Sequence, residues 1–342
     1  MNGTAVDLRL ERGPLNALTD VPGIKVGHFT HEQVLRGVTA VICEEGAGAG
    51  VSVRGSNPGT FNTDALAATT IGSLVHAIGL TGGSLLGLGA IAGITERLLQ
   101  QGHGLRRRGA VLPIVAGAVI YDLDLSDPLI HPTAEWGHRA CDAATDGGFA
   151  RGNVGAGTGG TVGKGPGCVR TKGGLGTASL MLPGGIGVGA LVVTNSLGGL
   201  VHPLTGQLYA VSGGFDDPLL FQPLDEEPVE SASIANTTLG IIATNADLSK
   251  TALIKVADLA HDGLARAIRP MHTMLDGDTV FAIAPYAGRV QPQRTSGPGL
   301  TDLIGAAAAD AMVLAVLDSA QQSAGIDGWP SVAAACERIS TA

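Results

Sequence analysis

The grouping of strands and helices along the chain is the feature that most constrains its fold. Short β-branched and apolar runs come in groups, and the helical segments lie between these groups rather than after every strand. Strict alternation of strand and helix is typical of a doubly wound parallel sheet, whereas grouped strands favour packed sheets flanked by helices. We therefore expect an α/β protein in which helices cover the outer faces of its sheets.

The predicted elements follow from the period of the apolar residues. Strands are predicted over residues 16–28 (two strands around a Pro-Gly turn), 37–43, 50–54, 110–120, 188–195, 236–245 and 279–284. Helices are predicted over residues 71–78, 84–101, 133–145, 249–268 and 300–317. Residues 151–176 are rich in glycine and show little periodicity, so they are predicted to be irregular.

Glycine is unusually frequent in this chain, with 53 of the 342 residues. The glycines cluster between apolar runs, where they permit tight turns and close approach of two backbones. Hydrophobic residues make up 44% of the chain but aromatic residues only 3%. The core is therefore expected to consist of Ala, Val, Leu and Ile side chains, and 342 residues suit one large domain or two ordinary ones.

The charge distribution argues against a nucleic-acid partner. The formal net charge is −9, and the main cationic cluster, Arg106 to Arg108, lies beside glycines as a solvated loop would. Proteins that bind nucleic acid spread positive charge over a face.

Localisation is predicted from three absences in the sequence. No signal peptide is apparent at the start, and glycine, proline or charge interrupts the long apolar stretches, so no membrane span is expected. The four cysteines are far apart and form no CxxC pair, which is typical of a reducing compartment. We therefore expect a cytoplasmic protein.

Several cofactor motifs are incomplete. Gly155 to Gly160 satisfies GxGxxG, but the residues that follow cannot begin the helix that a dinucleotide site needs. His131, Glu135 and His138 could share one helical face, yet no HExxH motif or fourth ligand accompanies them, so a metal site is not expected. No GxSxG elbow is present. The chain is expected to use no cofactor and no metal.

A strand that begins near Thr237 follows an acidic, proline-containing stretch. Residues 213–233 can bury little surface, so an exposed connection is expected there. If the bond between Asn236 and Thr237 were cut, the threonine hydroxyl would lie beside a free α-amine, whose ordinary pKa is about 7.7–8.0. One residue would then supply both nucleophile and base. The residues alone favour the plainer alternative, a β-branched pair that opens a strand.

Two C-terminal motifs resemble those of a known enzyme family. The segments Asn236-Thr-Thr-Leu-Gly-Ile-Ile-Ala-Thr-Asn245 and Met271-His-Thr-Met-Leu-Asp-Gly-Asp-Thr279 closely resemble the nylon-oligomer (6-aminohexanoate-oligomer) endo-hydrolases. These enzymes belong to a self-processing family that also holds D-aminopeptidase/esterases and β-peptidyl aminopeptidases. The likeness covers nearly the whole chain, and less specific matches lie at residues 16–28, 81–88, 118–122, 152–164 and 192–195.

The resemblance implies a threonine nucleophile with charged neighbours. Thr237 would be the nucleophile, and the bond after Asn236 would be the autocleavage site. Asp276 and Asp278 would position the threonine and stabilise its ammonium group, and Lys164 would be the nearby cation that offsets the carboxylates. Without the resemblance, Asp276 to Asp278 is predicted to be an ordinary turn.

The resemblance also implies an oxyanion site and a substrate pocket. Asn195 matches an asparagine whose side-chain amide stabilises the oxyanion, and Tyr121 matches a tyrosine of the same site. From the residues alone, Asn195 could be a strand-end cap and Tyr121 a residue at the edge of the core. The sequence departs from the family at Leu86, where a tyrosine is often found, so the resemblance does not fix the substrate. The aminopeptidase branch has Ser-x-Glu and a serine nucleophile, where this chain has Asp-x-Asp and threonine.

The resemblance implies a four-layer αββα sandwich of the N-terminal-nucleophile-hydrolase type. The single domain 1–342 would be cut into residues 1–236 and 237–342 and would assemble as a homotetramer. The implied activity is hydrolysis of small peptides or ω-amino-acid oligomers through a threonine acyl-enzyme. Three alternatives stay open: an aminopeptidase or D-amidase for small N-terminal residues, a transferase similar to ornithine acetyltransferases, and an unprocessed, non-catalytic scaffold that binds small molecules.

Overall fold

The computed structural model describes residues 10–72, 74–165, 168, 170–201, 236–290 and 298–335. The exposed connection predicted over residues 213–233 lies outside these described residues.

Strands and helices occupy most of the described chain. The strands are β1 (Glu11–Arg12), β2 (Lys25–His31), β3 (Arg36–Val53), β4 (Thr60–Phe61), β5 (Leu74–Thr81), β6 (Leu105–Arg107), β7 (Ala110–Leu112), β8 (Val115–Val119), β9 (Thr161–Val162), β10 (Thr171–Lys172), β11 (Gly174–Leu182), β12 (Ile186–Asn195), β13 (Gly199–Leu200), β14 (Thr237–Thr244), β15 (Ile268–Arg269) and β16 (Thr279–Pro285). The helices are α1 (Leu88–Gln101), α2 (Ala134–Asp142), α3 (Lys250–Ala267) and α4 (Pro298–Gln322).

Within the described residues, ten strands form one mixed sheet. Its order is β1-β11-β12-β14-β16-β3-β5-β8-β4, and β2 also pairs with β3. The pairs β14–β16 and β5–β8 are parallel, and the other neighbours are antiparallel. A mixed sheet with flanking helices agrees with the α/β class that the sequence predicts.

Strand β3 belongs to both halves of this sheet. Its first half pairs with β2 and β5, and its last seven residues pair with β16. The register with β5 shifts between Ile42 and Ala47, around Gly46 at a φ of 86°. The sequence predicted two separate short strands here, over residues 37–43 and 50–54. An irregularity of this kind bends a strand without ending it.

Alternation along the central strands sends side chains to two different hydrophobic clusters. In β12, Val188, Ala190 and Val192 belong to one cluster, whereas Leu191 and Val193 belong to another. This is the two-residue period of a strand with both faces buried. The strand therefore has one face toward helices and the other toward the opposite half of the sheet.

Three hydrophobic clusters hold these elements together. The first packs β11, β12, β14 and β16 against α3 and α4. The second, which we call the inter-sheet core, joins residues of β12, β14 and β16 to residues of β2, β3, β5 and β8. The third packs β3, β5 and β8 against α1 and α2. Helices thus cover the side of each half that faces away from the inter-sheet core.

Helix α4 is long and strongly apolar. Among the described helices, its residues Gly299–Gln322 meet the length and composition of a membrane span. Of the most apolar window, 61% is buried, and the helix packs on α3, β11 and β12. The core helix of a globular protein has the same composition, so its burial here accounts for its hydropathy.

The helix predicted over residues 71–78 is wrong, because this part of the chain contains strand β5. A strand buried on both faces forms a continuous apolar run, which periodicity cannot distinguish from a short buried helix. Residues 174–182 form β11, although the sequence predicted irregular structure up to residue 176. At Gly176 a Cβ atom would lie 2.1 Å from the carbonyl oxygen of Ala315, so glycine is needed there for the close approach of α4.

Candidate active site

Thr237 and Asn195 lie directly opposite each other at the ends of two neighbouring strands. Thr237 is the first residue of β14, Asn195 is the last residue of β12, and the two are register partners. Because side chains alternate, Thr237 shares the face of Leu239 and Ile241, which belong to the inter-sheet core. Thr237 is only 4% exposed, so its hydroxyl lies in a buried position at the end of that core.

The carbonyl group before Thr237 accepts two hydrogen bonds. The backbone N–H of Gly277 donates to the carbonyl oxygen of Asn236 at 2.7 Å, and the Thr237 hydroxyl donates to the same oxygen at 2.5 Å. The Asn236 N–H donates to the carbonyl oxygen of Leu275 at 3.0 Å. Two donors on one carbonyl oxygen polarise the group and favour attack on its carbon.

Asp278 connects the strand of the nucleophile to the preceding turn. Its Oδ1 accepts from the backbone N–H of Thr238 at 2.7 Å. Its Oδ2 accepts from the backbone N–H of His272 at 3.1 Å, and His272 Nδ1 lies 2.8 Å from the same oxygen. Since Asp278 is fully buried, these contacts hold its carboxylate in a single orientation.

Asp276, also fully buried, is anchored on the other side of Gly277. Its Oδ2 accepts from the Thr273 N–H at 3.0 Å and from the Thr273 hydroxyl, and its Oδ1 accepts from the Leu197 N–H at 3.3 Å. Burial, followed by the charge of Asp278, raises the pKa of Asp276. A cation placed between the two carboxylates would relieve this repulsion.

Lys164 lies against Asn195. Its Nζ donates to Asn195 Oδ1 at 3.0 Å and to the Asn195 carbonyl oxygen at 3.2 Å. Thr161 donates to Oδ1 with both its N–H and its hydroxyl, at 3.1 and 3.2 Å. Burial lowers the pKa of Lys164 to about 7, against the opposing effect of the Asp276 charge. The lysine can therefore change charge near neutral pH.

Tyr121 joins this set through its backbone. Asn195 Nδ2 donates to the Tyr121 carbonyl oxygen at 2.8 Å, whereas the Tyr121 hydroxyl donates to Asp124 at 2.8 Å. Burial and the hydrogen bond to Asp124 raise the pKa of Tyr121. Leu86 lies in the short 3-10 helix Ser84–Gly87, and its side chain is 51% exposed. The contact of Leu86 with a substrate stays a prediction.

Residues 54–57 pack over the two aspartates, and the sequence analysis assigned no role to them. The N–H groups of Arg54 and Gly55 donate to the Asp278 carbonyl oxygen, and the N–H of Asn57 donates to that of Asp276. A Cβ atom at Gly55 would lie 2.2 Å from the Asp278 nitrogen, so only glycine fits. More than 200 residues separate the two segments, and no local pattern indicates such a pairing.

Arg36 fixes the loop that follows Tyr121. The side chain is fully buried, and it donates to Asp122 Oδ1 at 3.2 Å and to the carbonyl oxygens of Asp127 and Ile130 at 2.6 and 2.7 Å. Burial raises the pKa of Asp122 to about 6, although the Gly83 N–H and Arg36 oppose the shift. The loop therefore depends on one buried ion pair.

Lys172 organises the glycine-rich segment that leads to Thr161. It is fully buried, and its Nζ donates to the carbonyl oxygens of Gly157, Gly160 and Gly173 at 3.2, 2.7 and 2.9 Å. Burial lowers the pKa of Lys172 to about 7. The segment is thus held by the side chain of Lys172.

The structure brings together seven of the eight residues that the sequence singled out. Hydrogen bonds or strand pairing connect six of them: Thr237, Asn236, Asn195, Lys164, Asp276 and, through its carbonyl, Tyr121. The seventh, Asp278, accepts from the backbone N–H of Thr238, the residue next to Thr237. A buried hydroxyl beside a polarised carbonyl, with carboxylates and a lysine nearby, suits nucleophilic acyl transfer. Their catalytic roles stay predictions.

Comparison with known proteins finds relatives that are aminopeptidases and oligomer hydrolases. The chain is 40% identical to an uncharacterized aminopeptidase of Mycobacterium leprae, over 94% of each chain. It is 33% identical to the 6-aminohexanoate-oligomer endohydrolase of Paenarthrobacter ureafaciens, over 77% of this chain and 73% of that protein.

The fold is also found in a solved structure. The L-aminopeptidase D-Ala-esterase/amidase of Ochrobactrum anthropi, described as a variant of the Ntn-hydrolase fold, superposes with a TM-score of 0.67. The match covers 92% of this chain and 88% of the other, at 22% identity, and shows the shared fold. The model of peptidase family S58 matches residues 16–331. The chain therefore belongs to peptidase family S58, a family of amide hydrolases.

Proposed function

We propose that this protein is a self-processing amide hydrolase with an N-terminal threonine nucleophile. It cuts its own chain between Asn236 and Thr237, and the new N-terminal Thr237 then attacks amide substrates. The observation that carries the proposal is the contact of the Thr237 hydroxyl with the Asn236 carbonyl, to which Gly277 also donates.

The self-cleavage step is an acyl shift followed by hydrolysis. Thr237 Oγ1 bonds to the carbonyl carbon of Asn236, the C–N bond to Thr237 breaks, and the hydroxyl proton passes to the released nitrogen. The Gly277 N–H stabilises the oxyanion, because it already donates to this oxygen. Water then hydrolyses the ester, which leaves a carboxylate on Asn236 and returns the hydroxyl to Thr237.

In turnover the new α-amine acts as the base. An N-terminal amine with an ordinary pKa of about 7.7–8.0 is partly neutral near pH 7.5 and can accept the Thr237 hydroxyl proton. Asp276 and Asp278 hold the ammonium form, and Lys164 offsets their charge when it is protonated. Thr237 Oγ1 bonds to the substrate carbonyl carbon, and the Asn195 amide stabilises the oxyanion. The substrate C–N bond then breaks, and the α-ammonium gives its proton to the leaving amine. Water releases the acyl group from Thr237 and completes the cycle.

The proposed substrates are small peptides or linear ω-amino-acid oligomers. The likeness to a 6-aminohexanoate-oligomer endohydrolase supports oligomers, and the likeness to an aminopeptidase supports small N-terminal residues as the alternative. Both classes need the same attack on an amide carbonyl. Leu86 is the proposed substrate-contacting residue, because its exposed side chain replaces the tyrosine of the family.

We also propose a four-layer αββα arrangement, assembly as a homotetramer of cut units, and a cytoplasmic location. The three hydrophobic clusters support the layers, because two of them join helices to the sheet and one joins the two sheet halves.

The intact mass of the purified protein under denaturing conditions tests the proposal. The wild type is expected to give two fragments, residues 1–236 and 237–342. Thr237→Ala removes the nucleophile and is expected to stay uncut, whereas Thr237→Ser keeps a hydroxyl and is expected to cut. Thr238→Ala is the matched control, because it deletes the neighbouring hydroxyl, and it is expected to cut as the wild type does.

Each result separates the candidate functions. A wild type that stays intact after long incubation would contradict self-processing and favour a non-catalytic scaffold. Among cut proteins, hydrolysis of an amide substrate without an added amine supports the hydrolase. Turnover that saturates with an added amine, and stops without it, would instead indicate the acyltransferase.

A further inference from the structure

His272 lies where the turn after β15 meets the start of β16. Its backbone φ is +60°, a left-handed value that is uncommon for residues other than glycine and in which Asn, Asp and His are enriched. In this conformation its backbone N–H and its Nδ1 reach the same oxygen, Oδ2 of Asp278. The left-handed backbone of His272 therefore lets two of its nitrogen atoms, the backbone N and Nδ1, contact the buried carboxylate of Asp278.

The other oxygen of Asp278 reaches the strand of the nucleophile. Oδ1 accepts from the backbone N–H of Thr238, the residue after Thr237, at 2.7 Å. A rotation of the carboxylate would break this bond and release the start of β14. The side chain that fixes Oδ2 therefore also fixes the backbone that carries the nucleophile.

The ring contacts define which nitrogen of His272 donates. A carboxylate oxygen only accepts, so the hydrogen of the 2.8 Å contact lies on Nδ1. The opposite nitrogen, Nε2, is buried and makes no hydrogen bond with any part of the described chain. The ring of His261 packs edge-on at 4.7 Å, and His261 Nε2 lies 3.1 Å from the carbonyl oxygen of Ser52. Among the contacts of the described residues, the hydrogen bond of Nδ1 is thus the one that connects the ring to the candidate active site.

We propose that His272 is a positioning residue for both self-cleavage and turnover, and that it acts through its Nδ1 hydrogen on Asp278. The inference rests on the proposed function, since it assigns the group that orients the machinery of Thr237. His272 touches neither the scissile bond nor the hydroxyl. Its contribution is to keep Asp278 aligned with the Thr238 N–H while the bond before Thr237 changes.

Two substitutions of His272 by amide residues distinguish the loss of the Nδ1 donor from the loss of the ring. In His272→Asn, the side-chain nitrogen can stand where Nδ1 stands, and asparagine tolerates the left-handed backbone. In His272→Gln, the nitrogen is one bond further out, near the place of Nε2. Both variants remove the ring contact with His261, so a purely structural role of the ring would be lost equally in both.

The rate of self-cleavage, measured by denaturing mass spectrometry during expression and incubation, is expected to distinguish the two variants. His272→Asn is expected to cut within a few-fold of the wild-type rate. His272→Gln is expected to cut at least about 10-fold more slowly, as the loss of a charge-assisted hydrogen bond predicts. In the cut enzymes the same order is expected for kcat on a small amide, with KM nearly unchanged. His138→Gln, at a partly exposed histidine beside Glu96, is the control and is expected to match the wild type.

The outcomes keep this inference apart from the proposed function. If the wild type cuts but His272→Asn and His272→Gln are equally slow, the ring acts by packing and the inference is wrong. If His272→Gln cuts at the wild-type rate, the Nδ1 hydrogen has no role and the inference is equally wrong. Equal urea midpoints of the variants exclude a loss of folding. If the wild type never cuts, the proposed self-cleavage is wrong, and the role inferred for His272 is wrong with it.

Discussion

Asn195 and Thr237 form the terminal residue pair of the ladder between β12 and β14. In an antiparallel pair, opposite side chains lie on the same face with Cβ atoms about 4.5–5.5 Å apart. The amide of Asn195 is thus brought beside the hydroxyl of Thr237 by backbone pairing. The relative position of these two groups depends on the register of the whole ladder, which buried side chains on both faces specify.

Gly277→Ala is expected to slow self-cleavage by about 100-fold, because displacements of about 1 Å near reacting groups have effects of this size. A Cβ atom there would lie 2.8 Å from Thr237 Oγ1 and 2.6 Å from the Asn57 carbonyl oxygen. The appearance of the two fragments over time measures the effect. Gly89→Ala is the control, since its Cβ would meet nothing within 4 Å in α1. Wild-type cleavage in Gly277→Ala would show that Thr237 does not need this space.

Arg36→Met is expected to lower the free energy of unfolding by about 3–5 kcal/mol, because it leaves the buried Asp122 carboxylate without its cation. Urea unfolding measures the change. Arg97→Met removes a comparable arginine whose partner, Asp142, is 47% exposed, and a change of at most about 1 kcal/mol is expected there. Equal losses of unfolding free energy in the two variants would show that burial of the Arg36–Asp122 pair does not increase its contribution to stability.

Lys172→Met is expected to change how stability depends on pH. The pKa of Lys172 is lowered by burial to about 7, whereas an unfolded lysine has a pKa of about 10.4. Between these values the unfolded chain binds a proton that the folded chain does not, so this residue makes stability rise with pH across the window. The slope is up to about 1.4 kcal/mol per pH unit. Urea unfolding at pH 7, 8, 9 and 10 should give a flatter profile for the variant, and parallel profiles would contradict the lowered pKa.

Sequence patterns predicted the central strands, and the resemblance singled out polar residues at their ends. β12, β14 and β16 were predicted to within a few residues, since β-branched and apolar side chains fill both of their faces. The resemblance singled out Thr237 and Asn195, and the ladder brings them together. Their proximity follows from which strands become neighbours, and that is decided by packing across the whole sheet.

The supporting residues could not be predicted, because their contacts are distant in the chain. Gly55 approaches Asp278 across more than 200 residues, and only the folded sheet shows why glycine is required there. His272 lies within the motif Met271 to Thr279, yet its proposed role depends on a left-handed backbone that no short sequence pattern specified. The buried residues of β5 gave an apolar run that periodicity assigned to a helix.

The place of β14 and β16 in the sheet decides what a cut after Asn236 would leave behind. Both strands follow the cut in sequence, and they lie side by side between β12 and β3, which precede it. Eight residue pairs join β14 to β12, and seven join β16 to β3. Separation of the two pieces would require both ladders to break together and would divide the ten-stranded sheet. A nicked molecule would therefore still unfold as one cooperative unit, and its two chains would behave in solution as a single particle.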